Sequence, residues 1–161
     1  MLIEEGTQQI ASSLYPYEQM NLFSCASAAL TISYRALGLT YSELDIRKDL
    51  GKKSTEVLSW LDMLKHPRTK GFETSFYYEE PYESLLYRFY DDDSVVIVGW
   101  VPLDNQARFH HYSPVKAINL ENIVLVDSDL GNFEGLPRRK FEQFWRDYTY
   151  THPFMTIKKT K

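Results

Sequence analysis

Apolar residues at helical spacing dominate the first third of the chain, and alternating ones dominate most of the remainder. The stretch Ala26 to Leu37 is rich in helix formers, with Asn21 and Ser24 before it as side-chain caps and Gly38 suited to the C′ position that ends a helix. Cys25 then falls on the first turn. A second helix is expected from Ser42 to Leu50, closed by Gly51. A third is expected from Thr55 to Lys65, where Val57, Leu58, Leu61 and Leu64 share one helical face.

After Gly71 the period changes. Phe72 to Tyr78 alternates and is aromatic-rich like a strand, and Pro81 followed by Leu85, Leu86 and Phe89 predicts one more helix. Strands are expected at Ser94 to Val101, His111 to Asn119 and Asn122 to Ser128. The last two are joined through Leu120-Glu121, a connection short enough to force an antiparallel hairpin. A helix at Arg138 to Tyr148 and a strand at Phe154 to Lys158 complete the pattern. Helices succeeded by an antiparallel sheet, without alternating βαβ units, predict an α+β fold.

With 161 residues and no internal repeat or long Pro/Gly/Ser linker, residues 1–161 are expected to form a single domain. Hydrophobic residues make up 43% and charged residues 25%, which supplies a core without disulfides or a structural metal. No stretch approaches the roughly 18 consecutive apolar residues of a transmembrane helix. Residues 1–20 lack a signal peptide's basic and apolar regions, so a cytoplasmic location is expected. A net charge of -4 and few basic clusters argue against nucleic acid as a partner.

Cys25 is the only cysteine, so it is either core filler or chemistry. Taken alone it reads as a small buried hydrophobe. Its place at a helix start changes that reading, because unpaired N–H groups and the helix dipole stabilise a thiolate. A nucleophile also needs a base and a group that orients the base. His111 opens one strand of the hairpin and Asp127 ends the other, so pairing brings them together. Gln19, six positions before Cys25, is placed to join the Cys25 N–H as an oxyanion hole. Asp127 and Asp129 also fit ordinary turn roles, in which each bonds its own backbone.

These residues resemble the C39-like branch of the papain-like cysteine peptidases. The branch has a Gln before the Cys helix, a His opening a strand written His-aromatic-x-x-Val, and an Asp-Pro-x-x-Gly turn ending the next. Here those read Gln19 and Cys25, His111-Tyr112-Ser113-Pro114-Val115, and Asp127-Ser128-Asp129-Leu130-Gly131. Ser94 to Trp100 and Leu136 to Trp145 are similar to a strand and the closing helix of the family, so the likeness runs over about residues 15–150. It implies a papain-like fold with the Cys helix packed on an antiparallel sheet. It also implies Cys25 as nucleophile, His111 as general base and acid, Asp127 as orienter and Gln19 as oxyanion donor. The strand phase shared with the family favours His111 over His110, which alternation alone does not separate.

Three positions depart from the family pattern. Ala26 replaces the usual Gly after the Cys, where it is expected to crowd substrate; Pro114 lies inside the His strand, which suggests an edge or a bulge; Ser128 replaces the usual Pro after the Asp. The sequence ends at Lys161 with no transporter domain, so peptide export coupled in cis is not expected, and double-glycine leader specificity is not carried over. No metal site is expected, because adjacent histidines on a strand face opposite ways and a calcium loop would need a ligand where Arg138 stands. The expected activity is hydrolysis of a peptide or protein substrate through a thioester, with no cofactor. An acyl transferase of the same architecture and an inactive peptide-binding module are the alternatives, and the oligomeric state is left open.

Overall fold

The computed structural model describes residues 9–21, 24–91, 93–101, 111–128 and 131–160. Their elements are α1 (Gln9–Ser12), α2 (Cys25–Ala36), α3 (Glu43–Leu50), α4 (Trp60–Thr69), β1 (Phe72–Tyr77), α5 (Tyr82–Phe89), β2 (Ser94–Trp100), β3 (His111–Ile118), β4 (Asn122–Asp127), β5 (Asn132–Pro137), α6 (Arg138–Phe144) and β6 (Phe154–Lys159). The strands form one antiparallel sheet in the order β1-β6-β2-β3-β4-β5. The α+β class and the β3-β4 hairpin match expectation.

Helix α2 lies against β3, and Cys25 through Tyr34 are all buried. A helix buried around its whole circumference belongs at the centre of a core. Ala29, Leu30 and Ile32 belong to the same cluster as Val95, Ile97, Val115, Leu125 and Phe154 of the sheet. Each large aliphatic side chain so buried contributes about 1.5–3 kcal/mol against exposure. The polar side chains of α2 are largely bonded locally, as where the Ser33 hydroxyl donates to the Ala29 carbonyl at 2.7 Å.

Local signals explain the edges of the elements. Ser42 and Asp45 form a capping box at the start of α3, and Gly51 closes that helix at φ 67°, where a side chain would be strained. A second capping box, between Ser59 and Asp62, starts α4 five residues later than the apolar spacing predicted. Val57 and Leu61 are consequently 49% and 70% exposed, so Val57, Leu58, Leu61 and Leu64 do not form one buried face. At the other end α4 continues through Pro67 to Thr69. Helix α6 is shorter than expected because Asp147 captures the Thr149 and Tyr150 N–H groups in a turn.

Strand β5 lies outside the strands expected; it is an edge strand whose six residues all pair with β4. Pro114 does not mark an edge, because β3 runs between β2 and β4. Its described pairing with β4 starts only at Val115, and a register shift comes before Ala117, so the irregularity half of that expectation holds. Gly99 in β2 lies beneath the indole of Trp60, where a Cβ would stand 2.6 Å from Cζ2.

Candidate active site

Cys25 is the first residue of α2. Ser24 occupies the N-cap position without capping the helix: its hydroxyl donates to the Asn21 carbonyl at 2.9 Å and accepts the Asn21 N–H at 3.0 Å. The first N–H groups of α2 therefore receive no bond from the N-cap side chain. Cys25 is 7% exposed, so little of the thiol is open to solvent. Ala26, at 1%, belongs to the core cluster.

The hairpin brings His111 and Asp127 together, with Nε2 3.8 Å from Oδ1. That separation is within ion-pair reach and longer than a hydrogen bond. Both side chains are mostly buried, at 15% and 13% exposed. His111 pairs across the sheet with Trp100, whose indole stands 6.0 Å from the imidazole at 42°. The Trp100 N–H donates to the Ser113 hydroxyl at 2.9 Å, which fixes the ring beside His111. His110, the alternative base, and Asp129, read with Asp127 as a turn residue, lie outside the described residues.

Gln19 is tied to the residue after Asp127. Its backbone N–H donates to the Ser128 carbonyl at 2.7 Å, and its Oε1 accepts the Ser128 hydroxyl at 2.8 Å. Its Nε2 donates to the Asn21 carbonyl at 2.7 Å. The Gln19 segment thus bridges the end of β4 and the turn leading into α2.

Two further buried groups, Glu43 and Arg47, carry no pattern in the sequence. Glu43, 1% exposed, accepts the Ser27 hydroxyl on one oxygen, and the Tyr17 hydroxyl and Met20 N–H on the other, at 2.7, 2.7 and 3.0 Å. One carboxylate therefore joins the first turn of α2 to the segment carrying Gln19. Burial and the bond to Glu43 push the Tyr17 phenol up to about 12. Arg47, one turn further along α3, is 3% exposed and donates to the Lys53 and Glu56 carbonyls. Burial lowers its guanidinium, and the charges of Glu43, Cys25 and Glu56 oppose that shift. Tyr112 is pushed up first by burial and then by the nearby Cys25, whose ionised form would repel a phenolate, so the thiol lies in the electrostatic neighbourhood of the residue next to His111.

A cleft of about 450 Å³ opens beside Tyr112, lined also by Leu58, Trp60, Leu61, Tyr148 and Tyr150. Trp60 meets Tyr112 edge-on at 4.7 Å and donates its N–H to Asp147 at 2.8 Å. Leu61 and Tyr148 are 70% and 73% exposed, so the rim is apolar and accessible. Among the described residues no helix is long and apolar enough to cross a membrane, and no group of three or more His, Cys, Asp and Glu is placed to hold a metal ion.

No protein-family model matches the sequence, and no curated protein does either. Solved structures do match. The chain is similar to the peptidase domain of Streptococcus ComA, a bifunctional ABC transporter involved in quorum sensing, at a TM-score of 0.70 and 17% identity over 91% of this chain and 99% of that one. It is similar to a double glycine motif protease from an AMS/PCAT transporter, solved with its leader peptide, at 0.68 and 21% over 92% and 94%. A Bacillus anthracis protein described as a C39-like peptidase matches at 0.69 and 13% over 93% and 96%. The described chain therefore has the α+β fold of the C39-like, papain-like peptidase domains.

Proposed function

We propose that the protein is a cysteine peptidase in which Cys25, His111, Asp127 and Gln19 act together. The observation that carries this reading is the His111–Asp127 pair at 3.8 Å, with His111 on β3, the strand that the Cys25 helix contacts. The Cys25 thiolate attacks a substrate carbonyl carbon, forming the C–S bond. The oxyanion takes hydrogen bonds from the Cys25 N–H and the Gln19 amide. The C–N bond then breaks as the imidazolium of His111 protonates the departing amine. Water, deprotonated by His111, releases the acid and restores the thiol. Asp127 holds the imidazole and balances its positive charge. The apolar cleft beside Tyr112 suits a peptide with apolar side chains, and one structural neighbour is solved with a leader peptide.

The 7% exposure of Cys25 favours a second reading, an inactive peptide-binding module. One measurement separates the two: the pH dependence of Cys25 alkylation by iodoacetamide in the wild type and in His111→Ala. A single cysteine makes the readout unambiguous. The peptidase reading expects a thiolate titrating well below the free value of about 8.5, and moving back up in the variant. A thiol that is inert, or indifferent to His111, overturns it in favour of the binding module.

A further inference from the structure

Primary amides present two ends of nearly equal shape, one accepting and one donating, and only the partners decide which way the group faces. At Gln19 the Asn21 carbonyl can only accept, so it requires Nε2. The opposite end, Oε1, is held by the Ser128 hydroxyl at 2.8 Å. Ser128 is 2% exposed, so solvent is poorly placed to replace its hydroxyl. Its carbonyl also holds the Gln19 N–H at 2.7 Å, which fixes backbone and side chain at one point. One hydrogen of Nε2 goes to Asn21, and the second is the one an oxyanion would take.

We infer that Ser128 is a positioning residue for the oxyanion donor: its hydroxyl, directly after Asp127, pins the Oε1 end of the Gln19 amide and so holds in place the donor end that the Asn21 carbonyl selects. The inference rests on the peptidase reading above. Ser128 stands where the resembling family has Pro, a residue with no hydroxyl to offer. At this site the turn that presents the orienter also sets the oxyanion donor.

The test is Ser128→Ala and Ser128→Thr, each alone and in a Gln19→Ala background. Turnover is read on fluorescein-labelled casein, affinity on acetyl-leucyl-leucyl-norleucinal, and thiol reactivity on iodoacetamide. The aldehyde adds the thiolate to its carbonyl and so needs the oxyanion site, whereas alkylation does not. In Ser128→Ala, kcat and aldehyde affinity are expected to fall together by about tenfold, less than the roughly 10²–10³ seen when an oxyanion donor is removed outright. KM and the alkylation rate should stay unchanged, Thr should recover most of the loss, and no further loss should occur once Gln19 is Ala. Unchanged kcat and aldehyde affinity in Ser128→Ala, or the same loss without Gln19, overturns the role of Ser128 alone. A wild type that neither cleaves casein nor takes the aldehyde removes the peptidase reading and this role with it.

Discussion

Replacing Gly99 by alanine sets a methyl group against a ring with little room to retreat. The new Cβ would stand 2.6 Å from Trp60 Cζ2 and 3.2 Å from Pro153 Cγ. To regain ordinary contact the indole or the strand must move by roughly 0.8 Å. Trp60 is held by its bond to Asp147 at 2.8 Å and packs against Tyr112 at 4.7 Å and Phe76 at 4.9 Å. Overpacking of this kind costs about 1–3 kcal/mol. The stiffer unfolded chain of alanine returns about 0.4–1 kcal/mol. A net loss of about 1–2 kcal/mol is expected, which at about 2–4 °C per kcal/mol lowers Tm by about 2–8 °C. Thermal unfolding monitored by circular dichroism, with urea midpoints as a second measure, reads this directly. Gly135→Ala is the control, because a Cβ there meets nothing within 4 Å. If Gly99→Ala is as stable as the wild type while Gly135→Ala behaves as expected, the steric argument is wrong.

Buried ionisable groups set two further expectations for stability. Glu43→Ala leaves the Ser27 and Tyr17 hydroxyls and the Met20 N–H without their acceptor, and is expected to cost about 3–5 kcal/mol in urea unfolding; a loss below about 1 kcal/mol refutes it. His66 is 1% exposed, between the Tyr34 hydroxyl on Nδ1 and Asp49 on Nε2, and burial holds it below the ordinary imidazole value against the opposing pull of Asp49. The unfolded chain therefore binds the proton more readily. Stability from this group is present above about pH 6.5 and is lost as pH falls through the lower folded value, by at most about 1.4 kcal/mol per pH unit. The drop in urea midpoint between pH 7.5 and 5.5 should shrink in His66→Gln, and an unchanged drop rules the assignment out.

Elements with both a period and a stop signal are legible in the sequence. Helix α3 has the Ser42 box and Gly51, and the β3-β4 hairpin has its short connection, so each is found within a residue or two of expectation. Apolar spacing misplaces the start of α4 because Val57 and Leu61 have the spacing of a buried face while lining an open cleft; the capping box at Ser59 is the better guide. Strand β5 escapes a reading of the sequence because the cause of its pairing lies in the partner strand, not in its own Gly- and Pro-containing residues. The nearness of His111 to Asp127 comes from hairpin geometry alone. Glu43, Arg47 and Ser128 are illegible for the opposite reason. A charged residue in the first or last turn of a helix, or a serine in a turn, normally faces water, and only the folded arrangement shows these three buried among groups that need them.

The strand order gives the chain a timetable. Strand β6 separates β1 from β2, yet it is made some sixty residues after β2 begins, so a nascent chain that has emerged only as far as Tyr150 holds a solitary β1 and an unfinished sheet of β2, β3, β4 and β5. Its β2 then shows an open edge along Ser94–Val98, all buried in the finished protein. Such an edge invites pairing with other chains. Since β2 is also the strand on which β3 and His111 are laid, Phe154–Lys159 act as a keystone whose arrival joins β1 to the rest of the sheet.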